Sequence, residues 1–140
     1  MKAFSVVSPW GEKIASGQKT LEIRSWQPET LPMKNIALVQ NEIRLTQKGQ
    51  TDPNGAVVAI VDIVGCKPWI QSESRQAGCD ESEFVAGYVA WELGNVRKLN
   101  QPVKAMAKRK FYSLSASEVK AVAACEMEAS ATPKVNNLNR

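Results

Sequence analysis

Between Ala56 and Cys66 the chain carries Val57, Val58, Ile60, Val61, Ile63 and Val64, with Asp62 the single charge among them. β-Branched side chains are stiff at χ1 and pack well on a pleated surface, so such a run favours a strand. It leaves no polar face for water, which makes it a central strand covered on both sides. A chain holding this segment has to build a sheet around it. Asp62 breaks the pattern, and its carboxylate is expected at the open end of a barrel or on its edge.

The remaining segments supply shorter partners. Lys2–Val7, Lys19–Arg24, Lys34–Gln40, Tyr88–Leu99 and Phe111–Leu114 alternate or carry brief apolar runs suited to strands. Pro9–Ser16 reads as a compact helix with Ser8 as N-cap, Gly17 as its stop, and Trp10 and Ile14 on one face. Asp80–Ala86 suits a short helix capped by Asp80 or Ser82. A last helix follows Ser117, with Val119, Val122, Ala123 and Met127 along one side. Asn41–Gly55 reads as a long loop or a short helix plus loop, and Gln101–Lys110 as a basic loop. Together these predict an α+β fold, a small mixed or antiparallel β-barrel of about five to six strands with two or three short helices. At 140 residues the chain suffices for one domain, placed at 1–129, with a disordered tail expected at 130–140.

Histidine is absent. That removes a Ser-His-Asp triad, a Cys-His pair and any imidazole acid–base step within one chain. Cys66, Cys79 and Cys125 are too far apart in sequence for a zinc motif, so they are read as reduced, partly buried thiols, with no metal and no cofactor expected. Any catalysis would fall to Lys, Tyr, Ser, Thr, Cys or carboxylates. The longest apolar run is far shorter than the roughly 20 residues that span a bilayer, and Met1–Val7 lacks the apolar stretch of a secretory signal. The reading is a cytoplasmic chain with no membrane association and no obligate protein partner.

Charge is unevenly placed. The formal net charge is +4. From Leu93 to Ser117 there is no acidic residue, while Arg97, Lys98, Lys104, Lys108, Arg109 and Lys110 fall there. A one-signed basic stretch attracts polyanions, of which nucleic acid is the usual one. Glu73–Glu83 has the opposite sign.

One segment holds more polar chemistry than a strand requires: Gly17-Gln18-Lys19-Thr20-Leu21-Glu22-Ile23-Arg24-Ser25-Trp26. Side chains two apart on a strand share a face at about 7 Å. Thr20, Glu22, Arg24 and Trp26 then form one row, with Lys19 at its start and Trp10 close by on the preceding helix. Arg forks onto phosphate or a base edge, Glu accepts from an amino group, and Trp stacks on an unpaired base.

Ser8-Pro9-Trp10, Gly17-x-Lys19-Thr20-x-Glu22-x-Arg24 and Ser25-Trp26 resemble the signature of the ASCH domain, a relative of the PUA RNA-binding domains. Gly55-x-x-x-Ala59 through Cys66, then Tyr88-x-Ala90-Trp91-x-Leu93-x-Asn95-Val96-Arg97-x-Leu99 and Pro102-Val103, are similar to its later strands. The resemblance covers Lys2 to Leu114. It implies a PUA-like barrel with a cleft between the first helix and the barrel that binds RNA or a nucleotide. Ser8, Trp10, Lys19, Thr20, Glu22, Arg24 and Trp26 are then the candidate ligand-binding residues, with Lys104, Lys108, Arg109 and Lys110 on phosphates. Some members resemble ribonucleases, and a bacterial branch resembles amidohydrolases of N4-acetylcytidine that use a Lys, a nucleophilic Thr and a Glu. On this chain the Lys falls on Lys19 and the nucleophile position on Glu22, so Lys19 and Glu22 are the catalytic candidates if the chain is an enzyme. Binding is the leading expectation, because a carboxylate replaces the nucleophile.

Overall fold

A computed structural model of the chain describes residues 1–137, and side chains through Met127. The β-branched run forms the middle of β5 (Ala56–Pro68), seven of whose residues, Val57–Ile63, are buried in succession. The other strands are β1 (Lys2–Val7), β2 (Leu21–Arg24), β3 (Met33–Asn41), β4 (Thr51–Asp52), β6 (Val89–Lys104), β7 (Ala107–Lys108) and β8 (Tyr112–Ser113). Six of them make one sheet in the order β2-β6-β5-β3-β1-β8, and β4 pairs with β7 in a separate ribbon. Only β1 and β3 run parallel within the sheet. Register shifts interrupt the β3–β5 and β5–β6 ladders. Each such irregularity bends and twists a strand, and the sheet curls into a half-barrel.

The curl brings one edge strand, β2, round to face β1. Arg24 spans the gap, donating from Nη2 to the Ser5 carbonyl at 2.9 Å. Helix α1 (Trp10–Ala15) lies over this end, with Ile14 fully buried. Its close approach to β3 depends on Gly11, where a Cβ would stand 2.7 Å from that of Gln40. Gln40 in turn accepts from the Glu12 amide at 2.8 Å. Inside, Trp91 and Phe4 are fully buried and meet edge to face at 5.8 Å. Burying a large apolar side chain contributes about 1.5–3 kcal/mol, so this pair anchors the half-barrel beneath α1. Helix α2 (Ala116–Asn137) covers the other end, where Val122 and Cys125 join the core.

Several expectations need correction. Ser8 does not cap α1; the cap position is Pro9, with no side-chain hydrogen bond. Helix α2 is long rather than short and begins two residues earlier than expected. Ser115, not Ser117, caps it, through reciprocal bonds with Glu118 at 2.7 and 3.2 Å. Its buried side is Val122 with Cys125, while Ala123 and Met127 are exposed. The basic segment Gln101–Lys110 is no single loop: its first four residues complete β6 and Ala107–Lys108 form β7. Pairing with Thr51 and Asp52 supplies backbone partners that the local sequence does not advertise. The helix expected at Asp80–Ala86 shrinks to a 3-10 turn, Glu81–Glu83, capped by Asp80. The tail expected at 130–140 falls beyond the described side chains, and residues 138–140 lie outside the described residues altogether.

Asp62 is buried and fully used. It accepts from the Asn35 amide at 2.9 Å, Asn95 Nδ2 at 3.2 Å and Arg97 Nη2 at 2.8 Å. Asn35 and Asn95 both have left-handed φ, +59° and +48°. Asparagine tolerates that region better than most residues, and the shared carboxylate holds both turns.

Candidate functional site

The gap between β1 and β2 opens into a cleft of about 480 Å3. Its floor comes from the sheet and its side walls from three connections. Glu22 and Arg24 on β2 form the centre. Glu22 Oε2 lies 2.8 Å from Arg24 Nε, and Oε1 lies 3.3 Å from Lys19 Nζ. Arg24 sits over the Trp91 ring at 5.3 Å and the Phe4 ring at 5.9 Å. A guanidinium above aromatic faces keeps its plane while its edge stays engaged.

Lys19 is only 6% exposed. Its ammonium donates to the Leu21 carbonyl at 2.7 Å and to the Ala77 carbonyl, besides facing Glu22. An ammonium has three donors, and all three have protein acceptors. Ala77 belongs to a strap, residues 69–88, that leaves the end of β5 and returns at β6. The Gln76 carbonyl accepts from the Thr20 and Leu21 amides at 2.8 and 3.0 Å, docking the strap along the outer edge of β2. Gly78, at φ +80°, packs beneath Trp10; a Cβ there would lie 3.0 Å from the indole. Leu21, Ala90, Trp69 and Ala77 form a small core under the strap. Cys79 also reaches the cleft, and burial first, then Glu83, pushes its thiol up, against the opposing effects of Lys19 and Ser74.

The opposite rim is cationic. Arg44, between β3 and β4, faces Lys108, Arg109 and Lys110, which start in β7 and follow it. The β4–β7 ribbon holds these two segments together. Asp52, 2% exposed, secures the turn before Arg44 by accepting from the Glu42 and Ile43 amides at 2.9 and 3.2 Å. Lys110 Nζ sits 5.6 Å from the Trp26 ring centre. Trp26 itself stands edge-on to Trp91 and Phe111 at 5.0 and 5.5 Å.

Eight predicted residues therefore converge on the cleft: Trp10, Lys19, Glu22, Arg24, Trp26, Lys108, Arg109 and Lys110. Ser8, Thr20 and Lys104 do not line it. Thr20 precedes β2, so strand alternation does not govern it, and its side chain lines a second depression with Gln18 and Arg75. Lys104 pairs with Ala56 at the end of β6. The sequence reading missed Arg44 and the strap residues Trp69, Gly78, Cys79 and Glu83. Trp69, just beyond the β-branched run, was an available signal. Among the described residues, no group of three or more His, Cys, Asp or Glu could hold a metal ion, and no helix is long and apolar enough to cross a membrane.

A family model of the ASCH domain matches residues 4–103. The chain belongs to the ASCH family. Among solved structures, the ASCH protein of Zymomonas mobilis superposes with a TM-score of 0.59 at 15% identity, covering 88% of this chain and 93% of that one. A Tyr-to-Phe variant of that protein gives a TM-score of 0.57 at 14% identity, covering 88% and 96%. A Ser-to-Ala variant gives 0.58 at 15%, covering 88% and 94%. These likenesses establish the PUA-like α+β fold. No curated protein matches the sequence significantly. In this ASCH chain, six cationic and two acidic side chains line the cleft. Their surplus of four equals the formal net charge of the whole chain, +4. The remaining charged residues of the sequence sum to zero, so the cleft lining carries a positive surplus of its own.

Proposed function

We propose that the chain binds RNA by admitting one unpaired nucleotide into the cleft, with the flanking phosphates held by Arg44, Lys108, Arg109 and Lys110. The observation that carries this reading is the surplus of cationic over acidic side chains, six against two, on a cleft walled by Trp10, Trp26 and Trp69. Cationic rims attract the phosphate backbone, and indole faces or edges receive an unstacked base. A cleft of about 480 Å3 lies within the roughly 300–1,000 Å3 of ordinary small-ligand sites, which suits a single nucleotide.

Lys19 and Glu22 serve this reading as a fixed framework. The three ammonium donors of Lys19 have acceptors, and each oxygen of Glu22 faces a cation. A general base or nucleophile has to be directed at the substrate, and here Lys19 and Glu22 are directed at each other and at fixed protein groups. The arrangement therefore favours binding over the alternative of a ribonuclease or N4-acetylcytidine-type amidohydrolase. Cleavage of either substrate by wild type, lost in Lys19→Ala and Glu22→Gln, would reverse that preference.

The test is a salt titration with a labelled single-stranded RNA followed by fluorescence anisotropy. Four neutralised phosphates on a single strand give a slope of log affinity against log salt near about −2.8, a loss of about 50-fold for a fourfold rise in salt. Lys108→Ala with Arg109→Ala flattens the slope by about 1.4. An affinity insensitive to salt, or a slope untouched by the double variant, refutes the assignment.

A further inference from the structure

Lys108, Arg109 and Lys110 line one rim of the cleft from β7 and the turn after it. The ribbon that carries them has two residues in each strand. A two-stranded ribbon is marginally stable by itself, so a rim built on one needs fixing from outside. Two side chains supply that at Met106, which precedes β7. Its amide donates to Glu118 Oε2 at 2.8 Å, and its carbonyl accepts from the Tyr112 hydroxyl at 3.2 Å. Met106 is itself 38% exposed, so apolar packing does little to hold it. Tyr112 also reaches the opposite way. Its oxygen lies 2.8 Å from Ser5 Oγ, and Ser5, which lines the cleft, accepts on its carbonyl from Arg24. Hydrogen-bonded residues thus run from Arg24 through Ser5 and Tyr112 to Met106. Burial, with a smaller push from Glu118, raises the Tyr112 phenol above its ordinary value of 10, against Ser5 and the Lys108 amide. It therefore keeps its proton to donate at neutral pH. Packing accounts for the Tyr112 ring, which lies against the core beneath α2, but it does not require the hydroxyl.

We propose that Tyr112 and Glu118 are positioning residues for RNA binding. By clamping Met106 they hold Lys108, Arg109 and Lys110 in register with Arg24, so that phosphates and base are engaged together. This rests on the RNA-binding reading above. Neither residue lines the cleft, so both act on the rim and not on the ligand. A rim left loose would have to be ordered at the moment of binding, and that ordering costs affinity.

The experiment repeats the salt titration with the labelled single-stranded RNA on three variants of the full chain. Tyr112→Phe keeps the ring and the charge and removes only the hydroxyl. Its affinity falls about fivefold, the worth of one hydrogen bond, and its slope against log salt flattens by about 0.7, one phosphate contact. A variant that merely folds less well loses active protein and keeps the wild-type slope. Ser115→Ala supplies that control: it takes the α2 cap from the Glu118 amide, leaves both bonds to Met106, and binds with wild-type affinity and slope. Glu118→Gln removes a negative charge that acts together with Lys108, a change that by itself strengthens RNA binding. Binding weakened about fivefold in that variant therefore reports the lost clamp. Wild-type affinity or slope in Tyr112→Phe, unchanged or tighter binding by Glu118→Gln, or an equal flattening in Ser115→Ala overturns the clamp and leaves the RNA-binding reading standing. If Tyr112→Phe does not fold, Glu118→Gln and Ser115→Ala decide. Wild-type protein with no salt-dependent affinity for the RNA overturns both.

Discussion

Lys19, Glu22 and Arg24 lie within six residues of chain, and their ion pairs are among the least exposed of the molecule. Glu22 holds both cations in place, at 3.3 and 2.8 Å, with its side chain only 10% exposed. Removing one partner of such a group strands the others, a loss of about 3 kcal/mol or more. Glu22→Ala should therefore destabilise the fold by about 3 kcal/mol in urea unfolding; a loss below about 1 kcal/mol, the value of an exposed pair, would contradict the buried network. The alternation of Leu21–Arg24 was legible because two-residue periodicity is a property of the strand alone. The burial of Lys19 was not, since the Ala77 carbonyl that draws it inward lies 58 residues away. Thr20 shows the same limit from the other side: one residue before the strand, its backbone amide is held by the Gln76 carbonyl of the strap instead.

Elements here are positioned by buried carboxylates as much as by apolar contact. Asp62 ties the start of β3 to β5 and β6, and Asp52 ties the end of β3 to the β4–β7 ribbon. The Asn35 amide chiefly holds the Asp62 carboxyl below the ordinary value of 3.8, against burial and with help from Asn95, Arg97 and Lys34. For Asp52, burial pushes upward but is outweighed by the amides of Asn54, Glu42 and Ile43 and by Asn41. A carboxylate depressed on folding adds stability that is complete above its unfolded pKa and is lost as pH falls through the folded one. Melting temperature should therefore hold down to about pH 4 and fall below it, with Asp62→Asn less stable at neutral pH and less sensitive in that acid window. Equal acid sensitivity of the variant and wild type would exclude this linkage. The apolar run of β5 announced itself, and Asp62 stood out within it. Its partners did not, because left-handed Asn35 and Asn95 leave no local signature stronger than asparagine itself.

For the whole molecule, patterning and the family resemblance made the sheet and its two helices readable, down to the strand that bears Glu22 and Arg24. What stayed hidden was everything created by closure. The strap, Arg44 and the β4–β7 ribbon come from segments without periodicity, and long-range pairing alone gives them shape. The cleft is a seam between β1 and β2, spanned by Arg24 and walled by side chains, and under the proposed function it takes a strand with an unpaired base. A duplex would have to open a base pair to fill it, at a cost of a few kcal/mol. A single-stranded RNA should thus bind at least about tenfold more tightly than its perfect duplex in a competition assay; equal competition would place binding on the outer surface.

The seam also governs how the molecule meets copies of itself. A sheet that stops short of closing leaves two borders at which another chain could add a strand and seed aggregates. Here one border, β8, is two residues long, and the other, β2, is four residues long and sheathed by the Gln76 carbonyl. The stretch of β1 beyond β8 is occupied at Ser5 by the guanidinium of Arg24. An incompletely closed sheet is guarded against self-templating by the same contacts that shape its cleft, so loosening the strap would cost colloidal stability as well as the site's geometry.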